Sequence, residues 1–312
     1  MDCSMMKFKL QSGKFMPLIG FGTYLITGNQ LIYQVLDEAL AAGYRHIDTA
    51  TVYHNETSIG QALKVLLPKY NLKREDIFIT SKLGKVFSAF YKFFFQIHRL
   101  NFLPAPIDQG EGAFSAVQES LKKLDCGYLD LYLIHWPGAG RLPVNSQENN
   151  KLRSKSWESL AKAVKAGLVK DIGVSNYTVK HLNELLMNDY GVKPSVNQVE
   201  WHPKFHQPEL LNLCRQEGIL LQAYSSLGGT GNSNLIRDPT VVQIAAQLQK
   251  TPAQVLLRWA VQQNIGIIPK ARTEEHIKSN IDLNFEIPVE MMTRLSNLNS
   301  NEKFAWNPEV VA

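Results

Sequence analysis

The stretch Arg45-His46-Ile47-Asp48-Thr49-Ala50-Thr51-Val52-Tyr53 reads as the end of a buried strand that delivers an acid and then a tyrosine to one rim. Ala41-Ala42-Gly43-Tyr44 gives it an apolar approach, and His54-Asn55-Glu56 reads as the entry to a helix with Asn55 as its cap. The carboxylate and the phenol then share a strand-to-helix loop. An Asp and a Tyr at this spacing are commonplace structural residues, so their meaning depends on what the rest of the chain brings to the same rim.

Outward from that stretch the chain alternates regularly. Strand-like runs are expected at Leu18 to Tyr24, Arg45 to Asp48, Ile77 to Ser81, Leu129 to His135, Val169 to Val174, Ser195 to Glu200, Gly218 to Tyr224 and Asn264 to Pro269. Helical spacing separates them: Leu31 to Ala42, Glu56 to Leu67, Gly112 to Leu124, Ser156 to Gly167, Val179 to Met187, Pro208 to Glu217, Pro239 to Leu248 and Pro252 to Gln263. Thr273 to Asn280 follows the last strand, Pro252 suits a first helical turn, and Gly167 and Gly218 suit helix ends. Phe8 to Met16 alternates around Ser12-Gly13, the pattern of a small hairpin that could plug one end. At 312 residues the chain could hold two domains. Eight strands alternating with helices, with no linker or composition shift, argue instead for one α/β domain over 1–312: a (β/α)8 TIM barrel with an N-terminal β-hairpin and a short C-terminal tail.

Composition sets the outer bounds. Hydrophobic residues make up 45% and charged residues 20%, enough for a large core and too few charges for a disordered chain. The net charge of +5 is spread without a dense basic run, so no nucleic-acid partner is expected. Cys3, Cys126 and Cys214 have no metal-ligand or disulfide spacing, which predicts a reducing, cytoplasmic setting. The N-terminal residues show no secretory h-region, and Val86 to Leu103 is broken by Lys92, His98 and Arg99, so no membrane partner is expected.

In a parallel barrel, functional residues belong at the carboxyl ends of strands. Asp48, Lys82, His135, Asn176, Glu200 and Tyr224 all fall at or just past such ends. Tyr53, Lys82, Asp48 and His135 make chemical sense as one unit. A free phenol has a pKa of about 10, and a neighbouring ammonium would lower it. Lys82 could supply that charge, Asp48 could keep a buried lysine protonated, and His135 could hold a carbonyl oxygen by a hydrogen bond. Gly20-Phe21-Gly22 lacks the third glycine of a Rossmann fingerprint, and Trp201-His202 with His206 lacks the partners of a metal site, so no metal is expected.

The chain resembles the aldo-keto reductase family through motifs that occur in the family's order. These are Gly20-Phe21-Gly22-Thr23-Tyr24, Gly43 to Ala50, Tyr132-Leu133-Ile134-His135-Trp136-Pro137, Gly173-Val174-Ser175-Asn176-Tyr177, Asn197 to Pro203 and Ile268-Pro269-Lys270. The short tail resembles the branch containing glyoxal and methylglyoxal reductases. The resemblance implies a monomeric, NADPH-dependent (NADPH/NADP+) reductase of small-molecule carbonyls. In it, Asp48, Tyr53, Lys82 and His135 are the catalytic tetrad, Tyr53 is the general acid, and Tyr53, His135 and Trp136 meet the substrate. It further implies that Ser175, Asn176 and Gln198 hold the carboxamide, that Tyr224 stacks on nicotinamide, and that Ser225, Ser226, Leu227 and Gly228 follow the pyrophosphate. The resemblance also implies that Gly22, Thr23, Tyr24 and Asp48 complete the cofactor cleft. Lys270, Ala271, Arg272, His276 and Asn280 match the 2′-phosphate and adenine end. There the chain departs from many members: Ala271 stands where they carry Ser, and His276 where they carry Arg. Selective reduction of a sugar, steroid or prostaglandin carbonyl is an alternative, as is a cofactor-binding barrel with little turnover.

One segment is foreign to this pattern. Lys82 and His135 stand 53 positions apart, more than the resemblance implies, and the surplus is Lys85 to Pro106. Its 22 residues hold 7 of the chain's 30 aromatics. It reads as an insertion in the loop after the third strand, with three interpretations open: a lid, an amphipathic membrane contact, or a translated intron that stays in frame.

Overall fold

The computed structural model describes residues 6–84, 109–140, 142–229 and 234–312. The foreign segment Lys85 to Pro106 lies outside the described residues, as does Cys3.

A hairpin opens the fold, with β1 (Lys7–Lys9) antiparallel to β2 (Phe15–Pro17). Eight parallel strands follow: β3 (Phe21–Gly22), β4 (His46–Asp48), β5 (Phe78–Leu83), β6 (Leu129–Ile134), β7 (Val169–Ser175), β8 (Val196–Glu200), β9 (Leu220–Tyr224) and β10 (Gly266–Ile267). Each pairs with its sequence neighbour. The first and last close the ring through a bridge of Ile19 to Ile267, and Gly22 N donates to Pro269 O at 3.1 Å. The barrel expected from the sequence is therefore present. Its two seam strands are shorter than their apolar runs, since only a few residues on each side find ladder partners there.

Strands β4, β5, β6, β8 and β9 are buried along almost their whole length, because helices cover the outer face and side chains fill the inner one. Helix Gly112–Leu124 shows the matching pattern: Ala113, Ala116, Val117, Ser120 and Leu124 form its buried stripe. Thr178, Thr251 and Thr273 cap the helices that follow them. Gly167 at φ +75° and Gly218 at φ +66° end helices in the left-handed region, as their positions predicted.

Two local expectations are corrected, and one helix is added. Asn55 does not cap helix Glu56–Lys69 through its side chain. It is buried, accepts from Thr49 Oγ1 at 2.6 Å, and donates to Thr23 O and Ile26 O at 3.0 and 2.9 Å, tying the first two barrel loops together. The helix expected from Ser156 begins at Glu148, because its polar first turns are held by Arg153 and Asn149 rather than by an apolar face. Helix Val289–Ser296 was not anticipated.

The hairpin plugs the amino end. Leu10, Met16 and Leu18 pack with Phe78, Leu131, Leu133, Val196 and Leu220 from the barrel interior. With that end filled, the carboxyl ends of the strands are left to hold polar groups. Among the described residues, no helix is long and apolar enough to cross a membrane.

Candidate active site

Asp48 is the last residue of β4 and Lys82 lies near the end of β5, so parallel pairing brings the two side chains together inside the rim. Lys82 Nζ donates to Asp48 Oδ1 at 2.5 Å, to Thr49 O at 2.9 Å and to Tyr53 Oη at 3.4 Å. Lys82 and Asp48 are sealed from solvent, whereas Tyr53 and His135 keep part of their surface. Tyr53 comes from the short helical turn Thr51–Tyr53, and its ring meets His135 edge-on at 5.8 Å and Tyr24 at 5.1 Å. The four residues singled out in the sequence thus converge.

Their electrostatics follow from this packing. Burial pulls Lys82 below its ordinary value, and the Asp48 carboxylate opposes that loss. Burial, reinforced by the charge of Asp48, pushes the Tyr53 phenol well above its ordinary value. This corrects the expectation that Lys82 would lower it. The ammonium lies closer to Asp48 than to the phenol, so the ion pair presents little net charge to an oxygen already short of water. Burial, then the nearby Lys82, bring His135 down to about 3, leaving a neutral imidazole at physiological pH.

Around this centre the predicted cofactor residues fall into two groups. The first lies on the rim. Ser175 Oγ donates to Gln198 O at 2.7 Å, Asn176 Nδ2 donates to His135 O at 2.9 Å, and Tyr224 Oη donates to Asn176 Oδ1 at 2.7 Å. Gln198 Nε2 donates to Asp48 Oδ2 at 2.8 Å, and Thr23 Oγ1 to Asp48 O at 2.9 Å. Asn176 at φ 65° and Ser225 at φ 53° hold left-handed backbone, a cost that clusters at ligand sites. Gly228 N closes the turn after β9 onto Ser225 O at 2.8 Å, with Ser226 buried and Leu227 packed on the core between them. A Cβ at Gly22 would stand 2.5 Å from Ile268 O, so only glycine allows that approach at the seam.

The second group lies beyond β10. Lys270 is half-buried, Ala271 and Asn280 are buried, and Arg272 and His276 are exposed at the start of helix Glu274–Ile281. Burial and the neighbouring Arg272 both lower the pKa of Lys270. Arg272 also reaches across to Leu25 O at 2.5 Å, which joins this group to the loop carrying Tyr24. Neither cation has a carboxylate partner among the described residues, and two convergent unpaired charges suit an anionic group. The residues present therefore fit a phosphorylated dinucleotide.

Some contacts were not legible in the sequence. Gln222 is buried beside Gln198 at 2.8 Å. Glu200 turns toward the tail, accepting from Ala305 N at 3.2 Å and pairing with Lys303 at 2.9 Å and His202 at 3.1 Å. Trp136, predicted to meet the substrate, is buried, has an Nε1 without a partner among the described residues, and packs edge-on against Trp306 at 6.3 Å. The ring of His206 lies tilted against Trp201 and edge-on to Trp259.

The carboxyl rim of an eight-stranded parallel barrel thus gathers a buried ion pair, a phenol and an imidazole, groups able to hold and move a proton. Residues 18–300 match the model of the Aldo/keto reductase family, and the chain belongs to that family. Aldo-keto reductase family 1 member C4 of Homo sapiens is 36% identical over 327 aligned positions, covering 97% of this chain and 94% of that protein. Glyoxal reductase of Bacillus subtilis (strain 168) is 36% identical over 303, covering 96% and 95%. Among solved structures, the aldose reductase from Schistosoma japonicum superposes with a TM-score of 0.79 at 34% identity, covering 96% of this chain and 94% of that one. As a member, the protein is an enzyme that interconverts carbonyl and alcohol groups, in a family that uses NADP(H).

Proposed function

We propose that the chain is a cytoplasmic, monomeric, one-domain reductase that converts small reactive carbonyls, such as glyoxal, methylglyoxal and simple aldehydes, to alcohols with NADPH. The observation that carries the reading is the hydrogen-bonded line Asp48–Lys82–Tyr53, with His135 facing the same phenol. The glyoxal reductase among its relatives supports the substrate class. Ser175, Asn176, Gln198 and Tyr224 would hold the nicotinamide end, Gly22 to Tyr24 and Ser225 to Gly228 the middle, and Lys270 to Arg272 with His276 and Asn280 the 2′-phosphate and adenine.

Bound NADPH supplies the hydride. The proton is the protein's contribution. Tyr53, kept protonated by burial, donates from Oη to the carbonyl oxygen. A forming alkoxide is a stronger base than a phenolate, so the raised acid still transfers downhill. Lys82 then donates to the phenolate oxygen, and Asp48 keeps that lysine charged. His135, neutral at working pH, directs an imidazole N–H at the same carbonyl oxygen, while Trp136 borders the substrate.

Replacing Tyr53 tests this directly. Tyr53→Phe should lower kcat for methylglyoxal at least about a thousandfold while leaving NADPH affinity within about twofold. Retained turnover would remove Tyr53 from its role. A panel of glyoxal, methylglyoxal, an aldose and a ketosteroid separates the small-carbonyl reading from a selective one, and NADPH binding without turnover of any of them would select the cofactor-binding barrel.

A further inference from the structure

Two amides lie side by side behind Asp48. Gln198 on β8 and Gln222 on β9 are paired in register and both are buried. Gln198 Nε2 donates to Asp48 Oδ2 at 2.8 Å and to Gln222 Oε1 at 2.8 Å. A side-chain amide nitrogen carries two hydrogens, so both are spent inside the barrel. The Oε1 of Gln198 accepts from no described residue. The Nε2 of Gln222 is sealed from solvent with no partner among the described residues. Leaving a buried donor unpaired is costly. Turning the Gln222 amide end for end would not relieve it, since its NH2 would then face the NH2 of Gln198. The orphaned nitrogen is the consequence of using Gln222 as an acceptor.

We infer that Gln222 is a positioning residue that locks the Gln198 amide, so that Gln198 offers a ligand only its oxygen. This rests on the reading of Gln198 as a cofactor contact and adds a rule to it. The group that Gln198 meets must bring its own N–H or O–H. A carboxamide does so through its NH2. A carboxylate presents acceptors alone and is refused. The lock also fixes the amide that donates to Asp48, and through Asp48 it bears on Lys82.

Binding to the ligand-free enzyme tests the lock without turnover. The probes are NADP+ and its nicotinic-acid counterpart, in which a carboxylate replaces the carboxamide, each titrated by calorimetry. The wild-type protein should bind NADP+ at least about tenfold more tightly. Gln222→Met, which keeps the volume and removes the acceptor, leaves the Gln198 amide held by Asp48 alone; the amide then turns over more readily, and the ratio should shrink to about twofold. Gln222→Glu, which still offers an acceptor to Gln198, should restore most of the ratio. Gln222→Thr, too short to reach Gln198, carries the same expectation as Gln222→Met should the latter fold poorly. Solvent exchange of the 15N-labelled Gln198 side-chain amide gives a second readout: both hydrogens are protected in the wild type, and one becomes labile in Gln222→Met. An unchanged ratio and unchanged protection in Gln222→Met and Gln222→Thr would overturn the inference while leaving the reductase reading intact. Protection lost as expected, in a protein that binds neither dinucleotide, would support the lock and defeat the cofactor reading.

Discussion

Both ends of the barrel bury carboxylates, but they treat them differently. At the amino end, Asp171 accepts from the Ser195 hydroxyl at 2.6 Å and from the backbone N–H of Ser12 at 3.1 Å, as well as from the Ser12 hydroxyl. Asp130 takes Ile79 N at 2.9 Å and Arg74, whose side chain still meets solvent, at 2.7 Å. At the carboxyl end, Asp48 pairs with a lysine that has no solvent at all, next to a phenol and an imidazole whose proton affinities are both displaced. Burial alone does not make a reactive centre. A buried carboxylate partnered by hydroxyls and backbone N–H groups fastens the fold, and one partnered by a buried ammonium beside a phenol governs a proton.

The sharpest way to break that contrast is to remove the lysine. Lys82→Met should lower kcat by about a thousandfold, and the uncompensated Asp48 should cost about 3–5 kcal/mol of stability. Adding Asp48→Asn to it should recover much of the stability and none of the activity. Steady-state kinetics and urea unfolding on the same preparations read both. Activity within tenfold of wild type would make the carboxyl end as structural as the amino end.

A smaller effect is expected at the far side of the rim. Lys270→Ala should raise KM for NADPH about tenfold, consistent with losing one phosphate contact, and leave KM for NADH nearly unchanged. Equal kcat/KM for the two cofactors in the wild-type protein would remove the proposed selectivity. The pH profile should change less still. Reduction uses the protonated phenol, which is present below the Tyr53 pKa and lost as pH rises through it; that value lies well above the ordinary one. His135, at about 3, adds no break near neutrality. The rate of proton transfer from the enzyme should therefore vary by less than about twofold between pH 5 and 8 and fall only in alkali. A break near pH 6.5 that vanishes in His135→Asn would show a charged imidazole and contradict the burial argument.

Much of this arrangement was legible before the fold was seen, for a physical reason. Parallel strands covered on both sides read as apolar runs, and a polar residue closing such a run must emerge on the common rim. Asp48, Lys82, His135 and Tyr224 were found that way. Gln222 was not. It sits inside the run Leu220–Tyr224, and only the register that sets it opposite Gln198 gives it a meaning. Asn55 carries the chemistry of a cap, yet its side chain is recruited by Thr49 of its own loop and by the distant loop of Thr23 and Ile26. The first turns of helix Glu148–Lys165 have no apolar stripe to betray them, since Arg153 binds Pro137 O and Glu184 instead. The direction of the Tyr53 shift is not legible in the sequence, because proximity to Lys82 is visible in a motif whereas depth of burial is not.

The smallest effect on catalysis is expected from the amino-end carboxylate. Asp171 is buried, and it joins the hairpin turn to the start of β8 through Ser12 and Ser195. Gln11 strengthens the same seam by donating to Gly218 O at 3.0 Å. Asp171→Ala strands the buried Ser195 hydroxyl and releases the exposed Ser12 to water, which should cost about 1–3 kcal/mol. None of these groups touches the rim, because the layer of Leu131, Leu133, Val196 and Leu220 lies between. Urea midpoints should fall while kcat and both KM values stay within about twofold. If kcat fell with stability, the plug and the rim would be coupled through the barrel interior, and the division between a fastening end and a reacting end would fail.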